Sequence, residues 1–190
     1  LAAALGGDAR LYTLTDGETL DLDLSGTDGA GHGIIVVEIP AGVSARVHER
    51  YAVADGSFAN IAVLYRIGED ANLDRIVTTG DCPGILTVTA GVDLGEGASL
   101  RQTGLTFGGK LVRLETHLSH PGAKADARID GVYLLAPGRH ADQTTTATVH
   151  GPGGTLGQLI KGAVASNGHG VFQGKIHVER EAQRTDARMT

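Results

Sequence analysis

Apolar residues recur at every second position through most of the chain. Leu20, Leu22 and Leu24 alternate with Asp21 and Asp23, and Val43, Ala45 and Val47 with Ser44 and Arg46. Val112, Leu114, Thr116 and Leu118 alternate with Arg113, Glu115 and His117. Near the end, Phe172, Gly174, Ile176 and Val178 oppose Gln173, Lys175, His177 and Glu179. A period of two marks a half-buried strand. Strands are expected over residues 10–15, 19–24, 33–39, 58–67, 73–78, 85–90, 100–105, 110–118, 123–129 and 132–135. The segment 33–39 (GIIVVEI) is nearly all apolar and reads as a strand covered on both faces. Long amphipathic helices are hard to find.

Between the strands one turn pattern returns: a short polar or Gly-containing turn, a small residue, then an alternating strand. It occurs as AGVSARV from Ala41, EDANLDRI from Glu69, GEGASLRQ from Gly95, PGAKADAR from Pro121, PGRHADQT from Pro137 and REAQRTDA from Arg180. The earlier copies recur about every two dozen residues, within the range of solenoid repeats. A lone short hairpin could not bury its apolar face. Coiling the chain pairs successive strands and lines the interior with small aliphatic side chains. The expected fold is all-β, a right-handed parallel β-helix (β-solenoid), with a β-sandwich or jelly roll as the alternative. Asp16-Gly17 and Asp55-Gly56 have the form of two-residue hairpin turns and suggest some antiparallel edge.

Composition points the same way. The chain has 190 residues, enough for one core, with 29 Gly, no Trp and only 4 % aromatics. A core of Val, Ile, Leu, Ala and Thr with frequent Gly suits narrow repetitive packing. The formal net charge is −6 with scattered basic residues, so neither a nucleic-acid surface nor a basic membrane patch is indicated. No apolar run approaches membrane-spanning length. The single cysteine, Cys82, cannot form an internal disulfide, and a cytoplasmic setting is expected. Residues 1–7 (LAAALGG) resemble the last turn of a preceding helix and its Gly cap, with residues 8–190 forming the β-helix core.

Catalytic motifs are not recognised. Gly109-Lys110 and Gly174-Lys175 lack the Ser or Thr that a phosphate loop requires, and no G-x-S-x-G is present. Asp21 and Asp23 project to one solvated side of a strand. The metal-ligand candidates are His117, His120 and Cys82. His117-Leu118-Ser119-His120 has a metal-site interval, yet residues three apart on a strand face opposite ways. That pair works only if His120 already lies in the turn before Pro121. The other histidines read as polar surface or structure.

The last third of the chain carries a family resemblance. Its residues are YLLAPGRHADQTTT from Tyr133, HGPGG from His150, GQLIKGAVA from Gly157, GVFQGKIHV from Gly170 and AQRTDARMT from Ala182. With THLSHPGA from Thr116, they resemble the β-helical core of the SufB/SufD family of the SUF iron–sulfur cluster assembly system. HADQTTT and TDARMT lie nearer its SufD branch. The resemblance implies a non-catalytic scaffold that pairs with a SufB-like partner and holds the SufC ATPase through a helical segment. It implies no cofactor bound by this chain, with iron or an Fe–S cluster held transiently at the full complex. The family's proposed functional His lies downstream of the TDARMT stretch, so it maps to no residue here. The core is therefore expected to stop before further coils and a helical tail, and in isolation a homodimer through an open strand edge is expected. Two alternatives from other classes are a β-helix carbohydrate-active or carbohydrate-binding module and a cupin-like metal enzyme. The first needs an aromatic, acidic groove; the second needs His48, His117 and His120 to converge.

Overall fold

The computed structural model describes residues 7–27, 29–80 and 82–190. The helix end expected over residues 1–7 lies outside the described residues except for Gly7. Among the described residues fourteen strands follow one another. They are β1 (Arg10–Thr13), β2 (Thr19–Thr27), β3 (Ala30–Ile39), β4 (Ser44–Val53) and β5 (Phe58–Ile67). Then come β6 (Asn72–Thr79), β7 (Cys82–Leu94), β8 (Ser99–Thr106), β9 (Gly109–His120) and β10 (Asp126–Leu135). The chain closes with β11 (His140–Val149), β12 (Thr155–Val164), β13 (His169–Val178) and β14 (Asp186–Met189), a 3-10 turn at Arg180–Ala182 preceding the last.

Odd-numbered strands form one seven-stranded sheet and even-numbered strands the other, each in sequence order. Every strand pairing among the described residues is parallel. The chain is thus a β-solenoid of about six turns, and the sandwich alternative, built on antiparallel pairs, is set aside. Hydrogen-bonded neighbours on successive coils stand 28, 27 and 29 residues apart (Ser44–Asn72, Asn72–Ser99, Asp126–Thr155). The repeat is therefore a few residues longer than the turn pattern suggested.

The two hairpin signals are corners instead. Gly17 and Gly56 adopt φ of +76° and +72°, which suits glycine, but each turn hands the chain from one sheet to the other. Asp16 Oδ1 accepts the Ser44 amide of the next coil at 3.0 Å, so the Asp-Gly pair serves stacking rather than hairpin closure. Segment 33–39 also differs from expectation. Ile35, Val37 and Ile39 point into the core, while Ile34 and Val36 are only half-buried on the outer face. The expected break between 123–129 and 132–135 is absent, because Gly131 continues β10 in register with Gly104 and Ile160.

One aliphatic cluster fills the space between the sheets, from Leu14 and Leu22 to Leu156 and Ala182. Its regular rows come from register. Val37, Tyr65, Val92, Leu118, Ala147 and Ile176 stack as one inner row of the odd sheet.

Candidate functional site

The inner face of the even sheet departs from this pattern in mid-molecule. Its inner row runs Leu20, Val47, Arg75, Gln102, Ile129, Gln158 and Met189. Arg75 falls in phase with Leu73 and Val77, and Glu49 in phase with Val47 and Tyr51, so strand alternation drives both charges inward. Both are essentially buried, at 2 % and 0 % exposure.

The pair is fully partnered. Arg75 Nε donates to Glu49 Oε1 at 2.6 Å and Nη2 to Oε2 at 3.0 Å. The Tyr51 hydroxyl donates to Glu49 Oε2 at 2.5 Å, and the Tyr65 hydroxyl donates to Oε1. Arg75 also lies over the Tyr65 ring, 5.1 Å from its centroid. From there Arg75 Nη1 donates to Gln102 Oε1 at 2.6 Å, and Gln102 Nε2 donates to Thr116 Oγ1 at 3.0 Å. Two coils further on, Gln158 Nε2 donates to Thr145 Oγ1 at 2.5 Å. A cavity of about 20 Å³ separates the two groups, bordered by Arg75, Gln102, Thr116, Gln143 and Thr145. It is the size of one water molecule. Gln143 Nε2 is buried beside it and has no hydrogen-bond partner among the described residues.

Electrostatics keep this interior charged yet neutral in sum. Burial alone would push the Glu49 carboxyl up; the Arg75 charge and the bonds from Arg75, Tyr51 and Tyr65 outweigh it and hold it below the usual range. Burial, then the Glu49 charge, push both phenols well above theirs. Burial works against the Arg75 charge, but Glu49 more than restores it. Every oxygen of Glu49 is occupied, so the group offers no base and no open ligand position. It pins β4, β5 and β6 in one register.

The outer faces hold the remaining chemistry. Ser119 Oγ lies 3.1 Å from His150 Nε2, and His150 Nδ1 lies 3.0 Å from Glu179 Oε1. The order matches a nucleophile, base and carboxylate relay. However, β9 is paired on both sides, so the strand amides around Ser119 are spent on the ladder.

The candidates named from sequence are not brought together. His117 points outward, with Nε2 3.2 Å from Glu115 Oε1. His120 is buried at the corner: its Nδ1 accepts the Gly122 amide at 3.0 Å, and Nε2 lies 3.0 Å from the Thr155 carbonyl. Both its nitrogens are occupied. Cys82 is buried, its Sγ 3.7 Å from the Tyr51 carbonyl. His48 faces outward from the other sheet, 3.4 Å from Asp21 Oδ1. The convergence that a cupin-like site requires does not occur. Among the described residues no group of three or more His, Cys, Asp or Glu assembles as a metal site.

Sequence reading missed the Glu49–Arg75 pair, although two charges in apolar phase were a visible signal. It missed Ser119–His150–Glu179 because the partners lie 31 and 29 residues apart. The exact coil register was needed to see them meet.

The family model described as "SUF system FeS cluster assembly, SufBD core domain" matches residues 23–190. The chain belongs to the SufBD core family. Its first matched residue lies within β2, so the match spans all the later coils and both sheets of this SufBD core. No curated protein and no solved structure matches the chain significantly. The family ties this SufBD core to SUF iron–sulfur cluster assembly. Among the described residues, no helix is long and apolar enough to cross a membrane.

Proposed function

We propose that this SufBD core is a SufD-like, non-catalytic scaffold of cytoplasmic SUF cluster assembly. It pairs with a SufB-like partner and works with the SufC ATPase. Iron or an Fe–S cluster is cargo held transiently by the full complex, not a cofactor resident in this chain. The family match over 23–190 carries the reading. The HADQTTT and TDARMT segments support the SufD branch by resemblance. The largely aliphatic interior and the fully partnered Glu49–Arg75 group support a scaffold role.

The pairing surface we assign is the outer edge of β13, a ten-residue strand that is the last of its sheet among the described residues. His169 and Glu179 donate their amides to Arg139 and Val149 of the preceding coil. Parallel ladders alternate, so the amides of Gly170, Phe172, Gly174, Ile176 and Val178 face the open side. A row of unpaired strand groups is a template for another strand.

Co-expression with a SufB-like protein and SufC, followed by size-exclusion chromatography, tests the reading. A stable complex containing all three chains is expected. Ile176→Pro removes an edge donor without touching an internal ladder bond, and it should abolish SufB-like binding while the solenoid stays folded by circular dichroism. Failure of the wild-type chain to bind either protein would overturn the proposal. Homodimers alone would support the edge but not the partner.

A further inference from the structure

We propose that His140 and His169 form a surface site for one divalent first-row transition metal ion. The two residues are direct register partners on the adjacent parallel strands β11 and β13. Neighbouring strands lie about 4.8 Å apart, so in-register side chains on one face stand side by side. Both project outward, since Ala141, next to His140, is buried in the core. Their ring centroids lie 4.7 Å apart with an interplanar angle of 74°. Neither imidazole is engaged by a hydrogen bond to a described residue.

The spacing suits shared coordination. Two imidazoles bound to one ion at about 2.1 Å place their centroids roughly 4.5–5.2 Å apart for angles between square and tetrahedral. The 4.7 Å separation falls inside that window, so rotation of the rings turns an edge contact into a pair of ligands without backbone movement. Imidazole nitrogen selects Zn²⁺, Ni²⁺, Cu²⁺, Co²⁺ or Fe²⁺ over Ca²⁺ and Mg²⁺. With two protein ligands, water fills the other positions, and affinity is modest and exchange fast. The pair is formed by stacking: the two residues sit on successive coils and meet only when β13 docks on β11. This inference does not depend on the SUF assignment.

Calorimetric titration of the purified chain with Zn²⁺, and of the absorption spectrum with Co²⁺, tests it. One ion per chain is expected, weakened on the order of tenfold or more by H140A and by H169A alone. H117A, whose imidazole is engaged by Glu115, serves as the control and should bind as the wild type does. The His140 and His169 ring resonances should shift together in NMR spectra recorded with Zn²⁺. The site is overturned by no binding in the wild-type chain, or by binding that survives both H140A and H169A. Unchanged thermal unfolding of the variants without metal ensures that lost binding is not lost fold.

Discussion

Arg75 on β6 reaches back one coil to Glu49 on β4, its Nε 2.6 Å from the carboxylate, inside a largely aliphatic core. Two charges with 2 % and 0 % exposure cannot exist singly there. Removing one partner leaves the other buried and unpaired, which costs about 3–5 kcal/mol. Arg75→Met and Glu49→Gln should each lower unfolding stability by that order in denaturant titration. The double variant Glu49→Leu/Arg75→Met should recover only part of the loss, because it strands the Tyr51 and Tyr65 hydroxyls and Gln102 Oε1, and adding Tyr51→Phe and Tyr65→Phe should recover more.

His120 gives the fold a pH dependence of known sign. Burial holds its imidazole below the ordinary 6.5, against the opposing pull of the Thr155 carbonyl. The unfolded chain therefore takes up a proton more readily than the folded one. Stability is retained above the unfolded value and declines as pH falls below about 6.5. Protonation would also expel the Gly122 amide from Nδ1. Thermal unfolding between about pH 5 and pH 7.5 should show this decline, with a shallower slope in His120→Gln.

Gly109 is a packing glycine with ordinary backbone angles. A Cβ there would run into the carbonyl oxygen of Cys82 on the preceding coil, and backbone cannot step aside. Gly109→Ala should cost about 1–3 kcal/mol, as overpacking does. Gly138, at φ +73° with open space around its Cβ position, should cost only local strain on substitution to Ala. Comparing the two unfolding midpoints checks the claim.

Cys82 has 0 % exposure and sits under Tyr51. Its thiol should resist a disulfide reagent in the native chain and react fully once denaturant unfolds it. Rapid labelling of the native protein would show that β7 opens locally.

The alternation of Leu20–Leu24 or Phe172–Val178 carried strand position and face, because period two is a local property of the chain. Gly and Asp at corners carried the turns for the same reason. What could not be read locally was which residue stacks on which. His117 and His120 looked like a pair through a short interval, yet the strand sends them to opposite faces. His140 and His169, 29 residues apart, meet through register. Asp16-Gly17 looked like a hairpin because its turn chemistry is shared by solenoid corners. Glu49 and Arg75 were legible as misplaced charges, but their mutual pairing depended on one coil's exact length.

The outer edge of β13 is the surface we assign to partner pairing. Residue-resolved amide exchange of the full chain, with and without a SufB-like partner, examines it directly. Partner binding should slow exchange at Gly170, Phe172, Gly174, Ile176 and Val178 by at least about tenfold, while the intervening amides, already bonded to β11, change little. Unchanged exchange along β13 in a formed complex, with new protection at β1 or elsewhere, would contradict the account.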